Sequence, residues 1–217
     1  LMLELEHIKE QRLFIQAKCL TGGFWDRIAT LTKHIVCEGI GIYGIFLMLI
    51  NYQRFGLMKC LGQEIVSWSA RDENDHVRGL TWFVKQELQE NPEAMTEPMR
   101  EAIRQMFRVG VDNAEELTKF FFSLGEIRDL TVEEVVMTLK QIANIRAEDM
   151  DCGLGILYPE VVDLPLLPQV GLLFTGSELA NFFETSNTAY GFYSGEWEYP
   201  THEVVPDFEM MERIANG

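Results

Sequence analysis

Arg71-Asp72-Glu73-Asn74-Asp75-His76 is the stretch on which the reading of this chain turns. Glu73 and His76 stand three residues apart, so on a helix a carboxylate and an imidazole leave the same face within one turn. Such a pair can grip a metal ion. One helix upstream, Glu38 sits in Cys37-Glu38-Gly39-Ile40, at the head of an apolar run from Gly39 to Asn51. An isolated buried charge is costly, so a carboxylate in such company either meets a cation or stays protonated. Two antiparallel helices joined by a short turn would bring Glu38 level with Glu73 and His76.

Apolar spacing and stop signals set the frame around these residues. Helices are expected over 1–20, 24–52, 57–90 and 98–122, with a final one that opens at the capping box Asp129-Leu130-Thr131-x-x-Glu134 and runs to about Asp149. In the fourth of these, Ala102, Met106, Val109 and Leu117 are expected to face inward. Past Gly153 the periodicity fades and prolines and glycines multiply, which reads as an extended tail. The division expected is a helical region over 1–157 and a tail over 158–217. A four-helix di-metal site takes a Glu from each of two helices and a Glu-x-x-His from each of the other two. Glu38 with Glu73-x-x-His76 is half of that set. Glu4-x-x-His7 is a second pair of the same form, but the Thr21-Gly22-Gly23 stop makes its helix antiparallel to the next, which is the wrong direction for a ligand helix.

The net charge of −16 argues against a nucleic-acid partner. The four cysteines, at 19, 37, 60 and 152, show no CxxC pairing and read as reduced thiols of a cytoplasmic protein. The apolar run from Gly39 is too short to span a bilayer, so no membrane association is expected. A phosphate-binding glycine loop and a nucleophile elbow are both missing from the sequence. His34 and His202 read as a helix-face and a tail histidine.

Three stretches together resemble the small, radical-generating subunit of class I ribonucleotide reductase. Cys37-Glu38-Gly39-Ile40-Gly41-Ile42-Tyr43 is similar to that family's Glu-x-Ile-x-Phe-Tyr helix, and Ser69-Ala70-Arg71-Asp72-Glu73-Asn74-Asp75-His76 to its Arg-Asp-Glu-x-x-His helix. Ala143-Asn144-Ile145-Arg146 and, in the tail, Asn181-Phe182-Phe183-Glu184-Thr185 complete the order. The resemblance implies an all-α, ferritin-like di-metal carboxylate bundle, incomplete in this chain, followed by an extended C-terminal tail. It covers the later part of the family's fold only. The upstream ligands and the radical-bearing tyrosine have no counterpart here, and Gln11, one turn after His7, is not a tyrosine.

On that resemblance Glu38, Glu73 and His76 would ligate one side of a di-iron, di-manganese or mixed Mn/Fe cluster. Asp72 would hydrogen-bond a metal-binding histidine and relay the radical, with Arg71 pairing a nearby carboxylate and Ile42 and Phe46 forming an apolar pocket. Tyr190 would carry the radical toward the large subunit, and Phe182, Phe183, Trp197, Tyr199 and Phe208 would dock on it. The implied function is that of a ribonucleoside-diphosphate reductase small subunit, or the C-terminal part of a divided one, serving deoxyribonucleotide biosynthesis and DNA replication. Such a chain would be inactive without the missing N-terminal ligands and the large subunit. The expected partners are that large subunit, a chain supplying the N-terminal half, and a second small subunit in a dimer. The alternatives are a ferritin-like di-metal oxidase acting on a small molecule, which would not need Phe182, Phe183 and Tyr190, and a non-catalytic docking subunit.

Overall fold

A computed structural model describes residues 22–58 and 61–174, and among them every regular element is helical. Helix α1 (Phe24–Val36) passes through a wider π-turn at Cys37–Gly41 into α2 (Tyr43–Asn51), which tightens into a 3₁₀ turn at Tyr52–Phe55. Gly56, at φ 72°, ends the run in the left-handed conformation that glycine adopts without strain. A second π-turn, Leu61–Val66, leads into α3 (Ser67–Glu90), and α4 (Glu97–Ser123) and α5 (Val132–Asp149) follow. The last two elements are a 3₁₀ turn at Pro159–Val161 and a short α6 (Pro168–Phe174).

The pairing of α1 with α3 decides the rest. Arg27, at the start of α1, donates from Nε and Nη2 to the two carboxylate oxygens of Glu87 near the end of α3, at 2.7 and 2.8 Å. Glu38, just past the end of α1, meets His76 in the first half of α3. The two helices are therefore antiparallel, which is the arrangement that brings Glu38 to the level of Glu73. Between these ends the core fills with Ile28, Ile35, Ile40 and Leu47 from the first run, Val77 and Val84 from α3, and Val135, Leu139 and Ile142 from α5. The run Phe24–Phe55 is long and apolar enough by composition to cross a membrane, yet 61% of its apolar window is buried among the other helices, as befits a central core helix. The Thr131 cap is formed as the sequence predicts. Its hydroxyl accepts from the Glu134 N–H, and the Glu134 carboxylate accepts from the Thr131 N–H at 2.8 Å.

Helix α4 differs from the expectation in its register. Its buried stripe is Ile103, Phe107, Gly110, Val111, Ala114 and Thr118, while Ala102, Met106, Val109 and Leu117 are only half-buried. The stripe includes a glycine and a threonine because α1 and α2 approach closely there. A Cβ at Gly110 would lie 2.0 Å from Val36 Cγ1.

The chain stays on the bundle well past Gly153. Arg100 and Arg104 of α4 donate from Nε to the carbonyls of Cys152 and Leu154. Asn144 Oδ1 accepts from the N–H groups of Leu157 and Tyr158, and Gln141 Nε2 donates to the carbonyls of Val161 and Leu164. Leu157, Val161, Val170 and Leu173 are buried. Segment 158–174 is thus anchored by side-chain bonds to irregular backbone, a device that periodicity does not register.

Candidate metal centre

The site begins with the π-turn. An i→i+5 turn widens the helix by one residue, and such turns recur at functional sites. Here it holds Glu38, half-buried, at the exit of α1. Glu73 and His76 reach the same point from α3. His76 Nδ1 lies 3.1 Å from Glu73 Oε2 and 3.4 Å from Glu38 Oε2, and one ligating atom from each of the three falls within 4.8 Å of the others. His34, one turn before Glu38, sits 3.7 Å from the second oxygen, Oε1. The ion-pair partners that the two carboxylates show among the described residues are these imidazoles.

Two converging carboxylates and an imidazole are a donor set suited to iron or manganese, which favour oxygen and imidazole ligands. The residues therefore fit one side of a di-metal site. The site is open, since the His76 side chain is 60% exposed. The surrounding residues named from the sequence divide by environment. Ile42 and Phe46 are half-buried, and Phe46 packs its ring 5.7 Å from that of Tyr43. Arg71 is half-buried and Asp72 is exposed on α3. Tyr190, Phe182, Phe183, Trp197, Tyr199 and Phe208 lie outside the described residues, as do Glu4 and His7.

Sequence reasoning missed a buried polar network directly behind the carboxylates. Tyr43, fully buried, donates its hydroxyl to Asn74 Oδ1 at 2.8 Å. Arg146 Nη2 donates to the Tyr43 oxygen at 3.1 Å and also to Asn74 Oδ1. Asn74 Nδ2 donates in turn to the Leu173 carbonyl at 2.7 Å. Burial pushes the Tyr43 phenol above its usual range, against the opposing pull of the Arg146 guanidinium. The π-turn makes room for this network. A Cβ at Gly39 would lie 3.2 Å from Arg146 Nε and 3.1 Å from Val77, so glycine lets the guanidinium cross the helix. The available signal was a tyrosine, an asparagine and an arginine in core-facing registers, because buried polar groups must find one another.

The chain is similar to known proteins. The sequence model of the family described as "Ribonucleotide reductase, small chain" matches residues 3–161. The chain is 34% identical over 165 residues to the "Probable ribonucleoside-diphosphate reductase small subunit 048L" of Invertebrate iridescent virus 3, covering 75% of this chain and 43% of that relative. It is 27% identical over 157 residues to the "Ribonucleoside-diphosphate reductase subunit beta" of Chlamydia pneumoniae, covering 72% of this chain and 43% of the relative. A solved ribonucleotide reductase R2 subunit from Clostridium botulinum superposes with a TM-score of 0.69 at 26% identity, over 78% of this chain and 54% of that one. The chain spans about half the length of the curated relatives it matches.

Proposed function

The chain belongs to the ribonucleotide reductase small-chain family, and from that premise we propose that it forms the C-terminal part of a radical-generating small subunit. In this reading Glu38, Glu73 and His76 supply one side of a di-iron, di-manganese or mixed Mn/Fe centre, and the other side comes from ligands on an N-terminal part. Bound there, the metals would supply the one-electron oxidising power that makes a radical. The observation that carries the reading is the convergence of two carboxylates and an imidazole, one ligating atom of each lying within 4.8 Å of the others.

The chain's own residues then have distinct tasks. His76 binds through a neutral ring nitrogen, and the Glu38 carboxylate is held in place by the π-turn. Ile42 and Phe46 keep water from the inner side of the centre. Asp72 beside Glu73 relays charge, and the segment 158–217, with Phe182, Phe183, Tyr190, Trp197, Tyr199 and Phe208, passes the radical to a large subunit on which it docks. The whole assembly would act in the cytoplasm on ribonucleoside diphosphates, as a dimer of small subunits, to provide deoxyribonucleotides for DNA replication.

Two measurements test this. Manganese or iron titrated into the isolated chain by calorimetry should bind at fewer than two tight sites, and Glu73→Gln or His76→Ala should weaken that binding at least tenfold. Two tight sites per isolated chain would overturn the divided site, and unchanged binding in both variants would overturn the ligand assignment. In the complex reconstituted with the N-terminal part and the large subunit, Asp72→Asn should abolish nucleotide reduction while metal content stays constant. Full activity in that variant would remove Asp72 from the relay.

A further inference from the structure

On the side of α3 that carries Asn74, away from the carboxylates, the bundle holds a second and different site. A cleft of about 390 Å³ opens between α3, the end of α5 and Phe174 of α6. Three cationic side chains line it, namely Arg78 and Lys85 of α3 and Arg146 of α5. The acid that lines it is Asp149, and Arg78 is also paired at the rim with Asp75 at 2.8 Å. A cationic cleft is notable in a chain of net charge −16.

The deeper groups are under-satisfied. Arg146 is 5% exposed, and the one carboxylate within 4 Å of it among the described residues is Asp149, at 3.9 Å and itself half-exposed. Among the described residues the Arg146 Nε has no hydrogen-bond partner. Its Nη2 donates to the neutral oxygens of Tyr43 and Asn74, and the Phe174 ring lies 4.6 Å from the guanidinium carbon. Thr81 also lines the cleft, is 7% exposed, and has a hydroxyl without a partner among the described residues. Buried charges are ordinarily matched by an opposite charge, and buried hydroxyls by a hydrogen bond. Ring contacts and neutral acceptors do not supply the missing negative charge.

We propose that this cleft binds an oxyanion, a carboxylate or a phosphate, held by Arg146, Lys85 and Arg78 with the Thr81 hydroxyl as a further donor. A guanidinium holds the oxygens of carboxylate and phosphate alike through N–H···O bonds, and an ammonium adds a point charge to the same group. The inference is independent of the metal reading, since it uses none of the proposed ligands. Its location gives it a consequence for them. Arg146 and Asn74 form the network behind Glu73, so an anion seated here stiffens the helix that presents Glu73 and His76.

The test is calorimetric titration of the full 217-residue chain with sodium phosphate and, separately, sodium acetate, at an ionic strength held constant with chloride. Tryptophan fluorescence, with Trp82 on the cleft wall, gives a second readout. Saturable one-to-one binding is expected, weakened at least fivefold in Lys85→Ala and in Arg78→Ala. Saturation by phosphate assigns a phosphate ligand, and saturation by acetate alone assigns a carboxylate. No saturable binding of either anion, or equal binding in both variants, overturns the proposal. Lys85 and Arg78 are chosen because they are more exposed than Arg146, whose removal would leave Tyr43 and Asn74 short of a partner in the core.

Discussion

Tyr43 shows how much one buried hydroxyl can carry. It donates to Asn74 and accepts from Arg146, so it closes a ring of bonds between α2, α3 and α5. Removing the oxygen leaves two buried partners short of a bond, and an unsatisfied buried polar group costs about 1–3 kcal/mol. Tyr43→Phe is therefore expected to lower the urea midpoint by an amount in that range, with an unchanged slope of free energy against urea. An unaltered midpoint would mean that water replaces the hydroxyl. At this scale Glu38, Glu73 and His76 were legible in the sequence, because a carboxylate in an apolar run and a Glu-x-x-His are each local patterns. The Tyr43–Asn74–Arg146 network was not. Its members are far apart in the chain and only the tertiary fold brings them together, so Asn74 reads as a mere spacer between two conspicuous acids.

Among the elements, the cap of α5 was legible and the inner face of α4 was not, for a common reason. The capping box is a contact between residues three apart, whereas the buried stripe of α4 is selected by what packs on it. That stripe runs through Gly110 and Thr118, residues that hydropathy does not flag, while the apolar Met106 and Leu117 lie half-exposed beside it. Gly110 lies against Val36 of α1. Gly110→Ala places a methyl 2.0 Å from Val36 Cγ1, and overpacking of this kind costs about 1–3 kcal/mol. Thermal unfolding of the variant should move down by several degrees, and Val36→Ala in the same chain should restore part of the loss. A variant as stable as the parent would show that α1 and α4 are free to separate. The two π-turns escaped the sequence reading as well, since an apolar run looks the same at 3.6 residues per turn or wider.

For the whole molecule, the burial of acidic protons sets an alkaline limit. Burial pushes the Cys152 thiol up to about 11 from its ordinary 9.0, with Arg100 pulling the other way, and burial together with Asp112 pushes the Tyr158 phenol up to about 12. A group that holds its proton more tightly when folded contributes stability below its unfolded value and loses that contribution as pH rises through the folded one. The stability from Cys152 is thus intact up to about pH 9 and falls between about 9 and 11. The urea midpoint should drop between pH 8 and pH 10.5, and Cys152→Ala should flatten that part of the curve. A decline of equal size in the variant would place its origin elsewhere. The helical architecture as a whole was legible from periodicity and family resemblance. The packing of 158–174 was not, because it rests on Asn144 and Gln141 bonding to irregular backbone rather than on repeating apolar positions.

The π-turn at Cys37–Gly41 makes the centre sensitive to chain length in a way that substitution would not reveal. A turn that closes over five residues instead of four stores one residue of slack. Deleting Gly39 would let α1 and α2 fuse into a regular helix, in which the flanking faces keep their register while the residues of the turn itself, Glu38 among them, are re-aimed. Glu38 would swing away from Glu73 and His76 while the helices kept their apolar cover, and the deletion should yield a folded, helical protein that no longer binds manganese. The loss of one codon would then remove the proposed metal site and spare the architecture.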